Sequence, residues 1–365
     1  MVEVFVPLLL LRRGLSLVQV SGFYLLYATV KLTINYQAMR FTNRFGARPS
    51  LILARIAYIA YLLCLVAIVG NKPIELAGLM ACMLAVTNAF QWNAQHVHIS
   101  RVINMERKGR DIARIDSIDM IAASLAPAVS AVLALLINEN WPLYLAIASI
   151  IVSIFWLKDI DDEAGGHVAQ SELKYNPSHA PRRDLVANFA FNFHSAIGVF
   201  VWPMYLALVL GNISSIGIVT TVGAIGTAVF LIFIGNRNDN VGTHKVLVEG
   251  SFATYIAHLL RLLPASAIMI GLINIMWMMC LRYQLNPWTS TYYAHARKKG
   301  MSYILSMEIA CDVAYIALFA AVFLVLSVFS YRVGFSILFV LAALVSLACT
   351  RITPTSDQPG SSVTG

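Results

Sequence analysis

The chain has 365 residues, of which 59% are hydrophobic and 12% charged, with a mean hydropathy of +0.74 and a formal net charge of +8. A soluble domain carries roughly 25% charged residues, so this composition excludes a water-soluble protein and leaves no room for a soluble domain. The basic excess is spread over several loops and does not form one patch with interleaved aromatics, which excludes a nucleic-acid partner.

A spanning helix needs about 20 apolar residues. Transmembrane strands would alternate apolar and polar residues, and the long runs here do not. The fold class is therefore all-α and polytopic. In chain order, an apolar stump covers 1–11. It is too short to span and lacks the basic start and cleavage site of a signal peptide. Spans follow at 16–39, 50–70, 76–99, 115–137, 141–157, 185–210, 213–235, 246–263, 265–293, 302–329 and 331–350. From Arg351 the chain is polar and rich in Ser, Thr and Pro, which predicts a disordered tail. Cys64, Cys82, Cys280, Cys311 and Cys349 all fall inside predicted spans without metal-like spacing, and read as packing residues.

Loop charges set the orientation. One side carries Arg40, Arg44, Arg48, Arg101, Arg107, Lys108, Arg110 and Arg114. It also carries Lys158, Lys174, Arg182, Arg183, Arg237, Lys245, Arg297, Lys298, Lys299 and Arg351. The other side carries only Arg12, Arg13, Lys72, Arg261 and Arg332. The richer side, with the loops bearing Arg44 and Lys298, is predicted to be cytoplasmic, and the membrane to be the plasma membrane (a bacterial inner membrane).

The two halves repeat. Asn43-Arg44-Phe45-Gly46-Ala47-Arg48 is echoed by Asp239-Asn240-Val241-Gly242-Thr243-His244, followed by Lys245, at an offset of about 196 residues. Pro7 and Gly14 likewise match Pro203 and Gly211. On that alignment the stump corresponds to the far end of the span 185–210, and about a dozen residues are missing before Met1. A start codon assigned too late is the favoured reading. A chain that truly lacks most of its first helix is the alternative.

With these motifs the chain resembles the major facilitator superfamily over nearly all its length. The family's hallmark loop, Gly-x-x-x-Asp-Arg-x-Gly-Arg-Arg/Lys, lies between helices two and three. The first copy here keeps Arg44, Gly46 and Arg48 but has Met39 and Asn43 in place of Gly and Asp. The second copy keeps Gly235, Asp239, Gly242 and Lys245. The resemblance implies two six-helix bundles with helix 1 truncated. They would be residues 1–157 and 185–350, with a cytoplasmic linker at 158–184 and a tail at 351–365. It implies gating by the hallmark loops, through basic side chains, tight glycine turns and helix ends that latch the bundles.

Polar residues inside a membrane are costly and face a cavity or a partner. On helix four Asn88, Gln91, Gln95 and His98 form one stripe. On helix ten Arg282, Asn286, Thr289 and Tyr293 form another, and the two stripes align at an offset of 191. Helix two adds Tyr24, Tyr27, Lys31 and Asn35, and helix seven adds Asn188, Asn192, Ser195 and Trp202. The substrate-binding candidates are Lys31, Asn35, Asn88, Gln91, Gln95, Asn192, Trp202, Arg282 and Asn286. Lys31 and Arg282 are the sharpest, because a buried cation wants an anion. That anion is either a substrate carboxylate or phosphate, or a structural partner such as Glu308, Asp312 or Asp116.

Asp116 and Asp119 read as opening helix five, and Glu308 and Asp312 as opening helix eleven. A buried carboxylate there can carry a proton between faces. The favoured reading needs no such role: these carboxylates cap helix N-termini, which favour negative charge, and form salt bridges between the bundles. Asp312 is the deepest of the four and the first candidate. His96 and His98 do not share a helix face, which argues against a metal site.

The sequence thus predicts a secondary active transporter that moves a small-molecule solute by alternating access, as a monomer in the lipid bilayer. It needs no cofactor, and it works by proton coupling or by facilitated diffusion. Polar stripes at mid-depth, without a catalytic cluster at one interface, argue against an enzyme. The alternative is a non-transporting scaffold or sensor on the same fold.

Overall fold

The computed structural model describes residues 5–68, 73–159, 180–263 and 266–354. Among them every regular element is helical. The stump is α1 (Val6–Arg12), followed by α2 (Leu17–Phe45), α3 (Ala47–Ala67), α4 (Pro73–Val102), α5 (Lys108–Leu136) and α6 (Trp141–Trp156). The second half holds α7 (Arg182–Ala196), α8 (Trp202–Leu210), α9 (Ile213–Val241), α10 (Thr243–Leu260), α11 (Ala267–Lys299), α12 (Met301–Val328) and α13 (Tyr331–Ser346). Among the described residues nine helical stretches are long and apolar enough to cross a membrane, α9 being a bent tenth. Most of the predicted linker, 160–179, and the tail beyond Pro354 lie outside the described residues.

Each predicted span is a helix, but many helices run past the apolar window at the basic end. Helix α5 begins at Lys108, not 115; α9 ends at Val241, not 235; α11 ends at Lys299, not 293. Hydropathy marks only the part inside hydrocarbon. The 33 residues of α11 make a rod of about 50 Å, longer than the roughly 30 Å apolar core. The starts are fixed by side-chain caps. The Ser16 hydroxyl accepts from the Gln19 backbone N–H while the Gln19 side chain accepts from that of Ser16, and Asn212 and Ser266 cap α9 and α11.

The repeat is visible in the backbone. Gly46 separates α2 from α3 at φ 92°, and Gly242 separates α9 from α10 at φ 103°. Both conformations favour glycine. Residues Arg44 and Asp239, expected in loops, are the last turns of helices, and each loop is one glycine long. Helix α1 packs on its counterpart α8. A five-residue π-turn, Ile197–Val201, joins α7 to α8, so Arg182–Leu210 is one interrupted span.

Within the first half α4 packs on α2 and α3, and within the second α11 packs on α9 and α10, while α13 packs on α7 and α10. Two seams cross between the halves: α5 against α9, and α2 against α12. Gly235 lies on the first seam, inside α9, where an added Cβ would stand 2.6 Å from Ala113 Cβ of α5. The hallmark glycine of the second copy is therefore a packing residue between helices. The largest apolar core runs along the second seam, where Tyr24 stacks on Phe319, centroids 5.2 Å apart.

Candidate functional site

The α2/α12 seam buries a charge cluster. Lys31 is 1% exposed and sits on α2 between two carboxylates of α12. Its Nζ lies 2.5 Å from Asp312 Oδ1 and 3.2 Å from Glu308 Oε2. The Asn35 amide donates to Asp312 Oδ2 at 2.5 Å, and the Asn93 amide of α4 donates to Asn35 Oδ1 at 2.6 Å. On the other flank His96 Nε2 lies 3.2 Å from Glu308 Oε1, and His96 Nδ1 lies 2.9 Å from the Tyr293 hydroxyl of α11. One polar chain therefore runs from α11 through α4 and α12 to α2, joining the two halves.

These carboxylates do not open their helix. Helix α12 starts at Met301, so Glu308 and Asp312 stand two and three turns inside it. The dipole acts only over the first turn, so helix-end stabilisation does not account for them; the other half of that reading, salt bridges between the bundles, is what Lys31 makes with both. Asp116 and Asp119 are likewise inside α5, whose first turn holds Asp111 instead.

Charge bookkeeping describes what the cluster can do. With both carboxylates ionised and His96 neutral, Lys31, Glu308 and Asp312 sum to one net negative charge. A buried net charge is costly. One added proton neutralises the cluster. Placed on a carboxylate, that proton also weakens the hold on Lys31, and a second makes the cluster positive.

Arg282 lies on the other seam. Its Nη1 stands 3.3 Å from Asp116 Oδ1 and its Nη2 3.7 Å from Asp119 Oδ2, pairing α11 with α5. Both sharp cations of the sequence analysis therefore meet the structural partners named there as the alternative to substrate. Asn286 is buried and donates to Gly109 O at 3.0 Å, while Asn238 of α9 donates to Asn286 Oδ1 at 2.9 Å.

Other expected residues scatter. Gln91 accepts from Arg55 of α3, Asn88 donates to the Tyr27 hydroxyl, and Gln95 is half-buried. His96 is the α4 side chain that reaches the other half, and Asn93, on the same side of the helix, donates to Asn35 of α2. Gln91 and Gln95 each lie about 200° around the helix from Asn93. Asn192 donates to its own helix, at Asn188. Trp202 faces the interior of the second half, donating from Nε1 to Asn274 Oδ1 at 2.9 Å. His96 falls outside the predicted polar stripe of α4, and in the sequence it reads only as half of a metal pair with His98.

At the basic end Asp239, in the last turn of α9, accepts from the backbone N–H groups of Gly109 (2.9 Å) and Arg110 (3.1 Å). It caps the first turn of α5 across the halves. Arg297 of α11 donates to Ile103 O at 2.9 Å. Arg44 and Lys245 point outward, and Arg48 is half-buried. Asp184, assigned to the linker, is instead buried in the first turn of α7. It accepts from Tyr303, faces His295, and accepts from the Thr353 backbone N–H at 2.8 Å, which ties the end of the described chain to α7.

No curated protein matches the chain. A family model described as Major Facilitator Superfamily matches residues 1–186, a little over half of the 365. With nine helical stretches long and apolar enough to cross a membrane among the described residues, and repeated halves, beside that match, the chain belongs to the major facilitator superfamily of membrane transporters.

Proposed function

We propose that the chain is a proton-coupled secondary transporter that moves a small solute bearing an anionic group, by alternating access between residues 1–157 and 185–350. The single observation that carries this reading is the Lys31–Glu308–Asp312–His96 cluster, buried on a seam between the halves. In the unloaded cluster Lys31 is held by two carboxylates and the net charge repels anions. Proton uptake frees Lys31, and a substrate anion then replaces a carboxylate beside it. Proton and anion enter together, which is symport. Arg282, held by Asp116 where α11 meets α5, is a second candidate cation for such a solute.

The contacts of Asp239 and Arg297 keep the basic end closed, and they are ones that opening must break. We further propose that this end is cytoplasmic and that 158–184 links two bundles. The protein would work as a monomer in the plasma membrane. The test is solute-driven proton uptake into proteoliposomes, compared with Asp312→Asn. Uptake that persists in the variant, or solute entry without protons, removes Asp312 from the coupling.

A further inference from the structure

A second buried cation lies apart from this cluster, inside the second half. Arg261 ends α10 and was counted among the external loop charges, yet it is 3% exposed. Its guanidinium carbon lies 4.5 Å from the ring centroid of Trp202 and 4.4 Å from that of Trp277, between two indoles. Nη1 meets His258 Nδ1 at 3.3 Å, and His258 Nε2 meets His194 Nδ1 at 3.4 Å. Nε and Nη2 of Arg261, Nε1 of Trp277 and Nε2 of His194 are all buried without a hydrogen-bond partner. Among the described residues no Asp or Glu pairs with Arg261. The cluster is therefore rich in donors and short of acceptors, and a buried, unpaired guanidinium is expensive.

The repeat supplies an internal control. Helices α3 and α10 begin at Ala47 and Thr243, an offset of 196. The same offset sets Leu62 against His258 and Leu65 against Arg261. Both leucines are 0% exposed. The fold packs these two positions with leucine in one half, so nothing in the packing demands an arginine and a histidine in the other. The backbone is also adapted here. The π-turn Ile197–Val201 precedes Trp202, and π-turns inside helices are frequent at functional sites. A Cβ at Gly198 would stand 1.7 Å from the Trp277 ring, so only glycine admits that wall of the cage.

We infer that Arg261, with Trp277 and the His258–His194 pair, forms a binding site for a small monovalent anion, a halide or a small carboxylate. The anion accepts from the unpartnered Nε and Nη2 of the guanidinium and supplies the charge that the surrounding helices lack. The site is separate from Lys31 and stands whether or not that cluster couples protons.

The experiment uses the purified full chain in detergent. Chloride and, separately, formate replace gluconate at constant ionic strength while melting temperature and tryptophan emission are read. The expected result is a saturable rise in melting temperature with a saturable emission change, both absent in Arg261→Leu. A response to formate but not chloride assigns the site to carboxylates, and a response to both assigns it to small anions generally. No saturable response in either salt would mean that water meets these donors, and would overturn the inference. An undiminished response in Arg261→Leu would overturn it equally. The leucine variant copies the residue at the matching position of the first half, so it is expected to fold. Should it not fold, bromide soaked into wild-type crystals must give an anomalous peak beside Arg261, and its absence would be decisive against the site.

Discussion

Replacing Lys31 by methionine keeps the volume of the side chain and deletes its charge. The ammonium lies 2.5 Å from one carboxylate and 3.2 Å from another. At an effective dielectric constant of 20 these separations correspond to about 7 and 5 kcal/mol of attraction. Most of that is offset by the desolvation of three charges, so the net loss on removing one partner is about 3–5 kcal/mol. The variant is left with two facing carboxylates, and it avoids the full penalty by binding protons. A second substitution, Asp312→Leu, removes one of them and leaves Glu308 with His96. Lys31→Met/Asp312→Leu is therefore expected to be more stable than Lys31→Met alone. The assay is unfolding of the purified variants in a denaturing detergent titration, read as a double-mutant cycle. A coupling of 2 kcal/mol or more is about what pairs sharing one network reach. Additive effects, or a Lys31→Met protein as stable as wild type, would refute the claim that these charges form one unit.

The other predictions concern the gate and the second cation. Asp239→Ala removes two charge-assisted bonds at the start of α5, worth about 1–2 kcal/mol. Spin labels at the basic ends of α5 and α9 should report a longer, broader distance, and an unchanged distribution would show that the cap does not hold the halves together. Gly242→Val places a β-branched residue at φ 103°, a strain of about 1–3 kcal/mol. It should slow transport while the protein still inserts, and a normal rate would mean the turn is not needed. Arg282→Gln should lower solute uptake at least tenfold with folding retained, and unchanged uptake would reject its role. Because Arg282 also holds Asp116, the melting temperature of this variant must be read beside its uptake.

Much of the architecture was legible because it follows from the bilayer. Apolar runs near 20 residues located the long spans, and the Gly46/Gly242 repeat located equivalent turns in both halves. The site was less legible, for a geometric reason. Helix α4 carries polar residues on two faces: Gln91 and Gln95 on one, Asn93 and His96 on the other. A stripe at helical spacing is present either way, and hydropathy does not say which one meets the opposite half. Helix two had no such ambiguity, and its predicted face of Tyr24, Tyr27, Lys31 and Asn35 is buried throughout. The carboxylates were misjudged through helix ends. Reading α5 as opening at 115 made a dipole account reasonable for Asp116 and Asp119, whereas the added turns from Lys108 remove it. Glu308 and Asp312 already stood two and three turns inside a span expected from 302, beyond the reach of the dipole. Arg261 was hidden because a cation beside an apparent loop reads as a topology marker, and only packing shows it held between two indoles.

The measurement that bears most directly on the central claim is proton flux in proteoliposomes that hold a pH-sensitive dye. Small anionic solutes are added outside, for wild type and Asp312→Asn in parallel. The account predicts that at least one solute acidifies the lumen of wild-type vesicles and that the variant does not respond to it. Solute entry with no acidification in wild type, or acidification equal in the two proteins, would contradict proton coupling through the Lys31–Glu308–Asp312 cluster.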